Sequence, residues 1–283
     1  MAKTTKNVWV IKTYSNFVLA VANVLAFVAV ILINYLAINL PIWGMTTGQL
    51  AGLYPNLFTP AGFTFSIRWL IYLAIFGFVI WQMIDFLKKK SLWITKKVGI
   101  RFLLSCGVNI GWIFAWHYQH IFLSVLIMLA FLIILIVIGN KVQIGEKNWL
   151  YSDKLFVQIP FSLYLWWISV ATVANIAAWL VDIQRDMRGL SPIFWTMLMI
   201  IVATILALMA LWKKYNIIFA FVVIWAFVGI IYKTLWSTVV YSQIVWLLWV
   251  CIAVIAMGIW LKFKDWKPSN YYDKNKKLHE ESK

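Results

Sequence analysis

Tyr164-Leu-Trp-Trp-Ile-Ser-Val-Ala-Thr-Val-Ala-Asn175 decides the fold of this chain. The run lies within Phe156 to Leu180, a stretch long and apolar enough to cross a bilayer. Tyr164, Trp167, Ala171 and Asn175 recur at i, i+3, i+7 and i+11, which at 100° per residue confines them to one narrow stripe of a helix. An unpaired amide in hydrocarbon costs several kcal/mol, so a span that only sat in lipid would have no use for Asn175. The stripe is expected to face other helices, or a ligand held between them.

The rest of the chain fits a membrane bundle. Hydrophobic residues make up 64% of the 283 and charged residues only 12%, with a mean hydropathy of +0.87. A soluble domain is about half apolar and about a quarter charged. The fold class is therefore all-α, a polytopic bundle of membrane helices. Windows of about 20 apolar residues mark eight spans, at about 15–40, 64–87, 101–118, 120–139, 156–181, 193–212, 215–233 and 239–262. The first is too long for the core of a signal peptide and reads as a retained helix.

A net charge of +16 would suit nucleic acid. The basic residues, however, lie in short loops and tails, with no basic helix or RNA-binding signature, so no nucleic-acid partner is expected. With the N-terminus inside, 21 of the 25 Lys and Arg fall on one side of the eight spans. Only Arg68, Arg185, Arg188 and Lys233 fall on the other. The positive-inside rule then places both termini in the cytoplasm of a cell-membrane protein, with a polar tail over 263–283. The loop from Leu40 to Phe63 is uncharged and rich in Gly, Pro and Thr, suited to folding back as a lid or to lying solvated.

Polar residues within spans mark function, because each is costly there. They concentrate in the first five: Asn23, Asn34, Ser66, Arg68, Gln82, Ser105, Asn109, Ser124, Ser162, Tyr164, Ser169, Thr172 and Asn175. Asn109, Trp112 and Trp116 form a second stripe at i, i+3 and i+7. Two stripes of aromatics and amides suit a pocket for a flat, largely apolar ligand with a few polar edges. The last three spans offer little polarity and are expected to complete the bundle or form a packing surface. No catalytic constellation is present, and no metal site is expected. Asp85 and Asp182 lie at span ends, and His117 and His120 fall in the turn between the third and fourth spans. Cys106 and Cys251 read as packing residues. No internal repeat supports an alternating-access carrier.

The residues resemble the translocator protein, or tryptophan-rich sensory protein (TspO), family. Tyr164-Leu165-x-Trp167-x-Ser169-x-Ala171-x-x-x-Asn175 is similar to the family's fifth-helix signature, and Asn109-Ile-Gly-Trp112 to its Asn-x-x-Trp. Phe65-x-x-Arg68-x-x-Ile71-Tyr72, preceded by Leu57-Phe58-Thr59-Pro60, follows its second helix. The resemblance covers about 15–182 and divides the chain into a five-helix domain over 1–182 and three additional helices over 183–262. Arg68 stands where the family carries Trp, with Trp69 beside it, and the family's Trp-x-Pro-Pro loop is reduced to Pro60. The resemblance implies binding of a tetrapyrrole such as protoporphyrin IX or haem, or of another apolar ligand, in a sensor or regulator role. Transport of apolar metabolites and modification of the bound pigment are the rival readings. The expected site is Tyr164, Trp167, Ala171, Asn175, Asn109, Trp112, Trp69, Tyr72 and Arg68. No cofactor is required. The expected partners are membrane lipid and the small ligand, and a homodimer is left open.

Overall fold

The computed structural model describes residues 2–39, 44–87, 93–145, 151–183, 191–214 and 216–264, and among these every regular element is helical. Helix α1 (Ala2–Asn39) is followed by a short α2 (Thr47–Gly52) and a 3-10 turn (Gly62–Ser66) that leads into α3 (Ile67–Leu87). Then come α4 (Trp93–His117) and α5 (Ile121–Lys141). The three residues of α6 (Tyr151–Asp153) pass through a π-helical turn, Lys154–Gln158, into α7 (Ile159–Asp182). Helices α8 (Pro192–Lys214), α9 (Ile217–Leu235) and α10 (Ser242–Lys264) complete the order. Eight of the helices are long and apolar enough to cross a membrane. Each coincides with one of the eight sequence windows.

The π turn has a local cause. Pro160 has no N–H, and its ring would collide with the carbonyl four residues earlier in a regular α-helix. Opening the preceding turn relieves that collision. The same turn places the buried Gln158, whose Nε2 donates to the carbonyls of Val142 (3.3 Å) and Gln143 (2.9 Å) at the end of α5. Those carbonyls would otherwise lack a partner past the helix end.

Two large apolar cores form among the described residues, with a third, smaller one of Leu50, Ala51, Tyr54, Trp116, Ile121 and Ala178 beneath the loop. In the first, Phe78 of α3, Phe102 of α4 and Phe161 of α7 meet edge to face at 4.8–6.1 Å. The second joins α8, α9 and α10 through residues such as Ile200, Leu211, Phe227, Leu248 and Ile255. Helix α9 belongs to both, since Val222 reaches the first core. Trp166 of α7 stacks on Phe219 of α9 at 3.9 Å and so serves packing, while Trp249 of α10 is half exposed on the bundle's apolar exterior.

Asn216 caps α9 and ties it to α7. Its Oδ1 accepts from Phe219 N (3.3 Å) and from Ser162 Oγ (3.0 Å). Asn216→Ala removes both bonds and should lower stability by about 1–2 kcal/mol, with Asn216→Asp recovering most of the cap. Thermal unfolding of the detergent-solubilised variants checks this, and a midpoint unchanged in Asn216→Ala would remove the cap from the account.

The histidines differ from the sequence expectation. Helix α4 runs through His117, which is fully buried with Nδ1 2.8 Å from the Ile113 carbonyl, so only His120 stands in the turn, exposed. The His117 imidazole folds back onto the carbonyl one turn earlier instead of reaching into the turn. Arg185, Arg188, Lys88 to Lys90, Lys147, Trp149 and the tail beyond Lys264 lie outside the described residues.

Candidate ligand site at the loop end of the bundle

The stripe on α7 has the outcome its spacing requires. Tyr164, Trp167, Ala171 and Asn175 all border one cavity between α3, α4, α5 and α7. Across from them stand Asn109, Trp112 and Trp116 of α4, with Arg68 and Tyr72 of α3 and Asn34 of α1. Met128 and Phe131 of α5 supply apolar wall, and Thr47, Ala51, Thr59 and Phe65 close the end nearest the loop. The cavity itself is small, about 50 Å³. A wider crevice of about 500 Å³ adjoins it, bounded by Ile38, α2, the 3-10 turn and the start of α3. Arg68, Phe65 and Thr47 border both spaces.

A continuous chain of hydrogen bonds organises the polar wall. Arg68 Nη1 donates to Asn34 Oδ1 (3.1 Å), and Asn34 Nδ2 donates to Asn109 Oδ1 (2.9 Å) and to the Val30 carbonyl (2.9 Å). Asn109 Nδ2 donates to the hydroxyls of Tyr164 (2.8 Å) and Tyr72 (3.3 Å). A second chain runs from Trp112 Nε1 to Asn175 Oδ1 (2.7 Å), then from Asn175 Nδ2 to Ser124 Oγ (2.8 Å). The amides that hydrocarbon would penalise are thus paired with polar side chains drawn from five helices, α1, α3, α4, α5 and α7. Trp112 and Trp116 lie stacked at 5.7 Å, the Arg68 guanidinium sits 5.6 Å from the Trp112 ring, and Phe65 meets Trp167 edge to face at 6.1 Å.

Eight of the nine expected site residues border this cavity, and Trp69 does not. One residue along a helix turns the side chain by 100°, so Arg68 and Trp69 cannot both face inward. Trp69 instead borders the crevice, 39% exposed, with its ring edge to face with Tyr72 at 5.9 Å. Sequence reasoning also left out Asn34, Ser124, Phe65 and Thr47. The first two were already conspicuous as polar residues in apolar spans, and Phe65 opened the Phe65-x-x-Arg68 motif, whereas Thr47 carried no signal.

Over its described part, 44–63, the loop is a packed lid rather than a solvated strand, while Leu40 to Trp43 lie outside the described residues. Thr46 caps α2 in a reciprocal box with Gln49, and Trp116 Nε1 donates to the Thr47 carbonyl (3.3 Å). Burial and the Asp182 carboxylate push the Tyr54 phenol up from its ordinary pKa as its ring packs on Trp116 at 5.9 Å. The far side of the loop is fastened to α9. Lys233 Nζ donates to the carbonyls of Asn56 (3.2 Å) and Thr59 (3.0 Å). Ala61 N donates to the Gly229 carbonyl (3.1 Å), and Trp225 Nε1 to the Thr64 carbonyl (2.8 Å). Helix α9, from which little but packing was expected, therefore holds the lid.

Neither cavity is bordered by His117 or His120, and the described residues contain no cluster of three or more metal-ligating side chains. A family model described as TSPO-like protein matches residues 20–261. The match extends beyond the first five spans and takes in α8, α9 and most of α10. Neither the curated proteins nor the solved structures contain a significant match.

Proposed function

The chain belongs to the TSPO-like protein family, and from that premise we propose that it is a multi-pass membrane protein binding a flat, largely apolar ligand, of which tetrapyrroles are the leading class. Its role is that of a sensor or regulator in the cell membrane, with both termini cytoplasmic and the loop end facing out. The observation that supports this most is the convergence of two aromatic-and-amide stripes, on α4 and α7, upon one cavity under a folded lid. Tryptophan faces supply stacking surface, and Asn109 and Asn175 supply polar edges.

Size sets a condition on this reading. Ligand pockets typically measure roughly 300–1,000 Å³, well above the 50 Å³ of the closed cavity and comparable to the 500 Å³ of the crevice. The ligand therefore enters through the crevice and parts Phe65 and α2 from the aromatic wall, so that the two spaces become one.

The test is a titration of the purified protein with protoporphyrin IX and with haem, read by the ligand's own absorbance. Intrinsic fluorescence would mislead, because almost any bound dye quenches some of the 19 tryptophans. Saturable binding that is lost when Trp167→Ala is combined with Asn175→Ala, with folding unchanged, is the expected result. Binding indifferent to both changes would make the stripes helix packing and nothing more.

A further inference from the structure

Among the described residues Arg68 is the one cation that borders both the cavity and the crevice, and it is 8% exposed. Of the five N–H groups an arginine carries, one donates to Asn34 Oδ1. The guanidinium also lies over the face of Trp112. Among the described residues no carboxylate lies within ion-pair distance of it. Burying a charge without a counter-charge is costly, and a guanidinium fork matches a carboxylate or phosphate in two parallel hydrogen bonds.

Thr47 supplies an independent observation. Its side chain is 4% exposed on the same partition between the two spaces, and its Oγ1 has no hydrogen-bond partner among the described residues. A buried hydroxyl without a partner costs free energy that a bound acceptor would return. Arg68 is also the second residue of α3, where the positive end of the helix dipole favours an anion. A guanidinium without a counter-charge and a hydroxyl without a partner thus stand on one partition, bordering the same two spaces.

We propose that the ligand is an amphiphilic oxyanion: a carboxylate or phosphate held by Arg68 and Thr47 at the partition, with an apolar body extending along the Trp69 and Phe63 side of the crevice and into the aromatic cavity. The apolar half of this assignment rests on the function proposed above, whereas the anionic half rests on Arg68 and Thr47 alone. Trp69, which the main cavity excludes, has a place in it as a wall of the crevice. A neutral ligand of the same shape leaves the buried guanidinium without a counter-charge, so charge, and not only flatness, selects the ligand.

Two probe pairs test this in nanodiscs of neutral phosphatidylcholine. Protoporphyrin IX should bind at least about tenfold tighter than its dimethyl ester, the discrimination expected of a charge-assisted pair. Arg68→Gln, which keeps a donor for Asn34, should abolish the preference; Arg68→Lys should retain part of it; Thr47→Val should reduce it without removing a charge. The second pair, decanoate and methyl decanoate, does not depend on a flat pigment. Decanoate should raise the thermal midpoint of the wild type more than its ester does, and the difference should vanish in Arg68→Gln. Replacing part of the lipid with phosphatidylglycerol separates the sources: competition with both acids marks a lipid phosphate as the occupant, and no competition marks a diffusible acid. Failure of the porphyrins with success of decanoate would reject the flat-ligand reading and leave the anion site standing. Equal behaviour of acids and esters in the wild type, or equal losses for both in Arg68→Gln, would overturn the anion site and reduce Arg68 to a structural partner of Asn34.

Discussion

Gly229→Val should release the lid from α9. A Cβ at this position would collide with Thr64 Oγ1 and come within 2.9 Å of Pro60 Cβ. Thr64 is fully buried and has little room to withdraw. Glycine is thus required here by close approach of the loop, and the same backbone approach allows the Gly229 carbonyl to accept from Ala61 N at 3.1 Å. Overpacking of a tight contact costs about 1–3 kcal/mol, and the loop can escape it by lifting away. That movement would also break the bonds from Lys233 and Trp225. The expected result is a lower thermal midpoint together with faster labelling, by a membrane-impermeant maleimide, of a thiol introduced by Thr59→Cys, a position 5% exposed in the closed lid. Because Thr64 Oγ1 is the nearest obstacle, combining Gly229→Ala with Thr64→Ala should recover much of what Gly229→Ala alone loses. Unchanged labelling in Gly229→Val would show that α9 does not hold the lid.

That role of α9 explains where sequence reading stopped. The eight spans were legible because each is a window of about 20 apolar residues, a length imposed by the bilayer rather than by any tertiary contact. The stripes on α4 and α7 were legible for a related reason: an amide is so unfavourable in hydrocarbon that its spacing reports which face is buried. Lys233, Gly229 and Trp225 carry no such signal. Near a span end a lysine looks like any residue at the water interface, and a lone glycine in a helix looks like packing. Their meaning lies in the carbonyls of Asn56, Thr59 and Thr64 and the amide of Ala61, all more than 160 residues away. Trp69 faces the crevice instead of the cavity for a simpler reason, since adjacent helical positions face different ways and the sequence offered both it and Arg68. Asn23 and Asn34 share one face of α1, yet only Asn34 borders the cavity. Asn23 lies 3.4 Å from Gln82 in a separate cluster, a distinction set by depth along the helix, which periodicity does not report.

Asn109→Leu should produce the largest loss within the polar wall. Leucine has nearly the same volume, so the change tests hydrogen bonding with little cavity formation. Three bonds disappear: the acceptor for Asn34 and the donations to Tyr164 and Tyr72. Interhelical hydrogen bonds in membranes average about 0.6 kcal/mol each, which puts the loss near 2 kcal/mol. Asn23→Leu, which removes one long bond to Gln82, should cost well under half as much in the same denaturant-induced unfolding measurement. The two tyrosines provide a sharper criterion, because bonds that share one amide are not independent. Tyr164→Phe should destabilise the wild type yet cost almost nothing more once Asn109→Leu is present. Full additivity of the two substitutions would mean that Asn109 and Tyr164 stabilise the bundle separately. In that case the amide wall linking α1, α3, α4 and α7 is not a single unit, and Asn34 has no cooperative network through which to hold Arg68 in place.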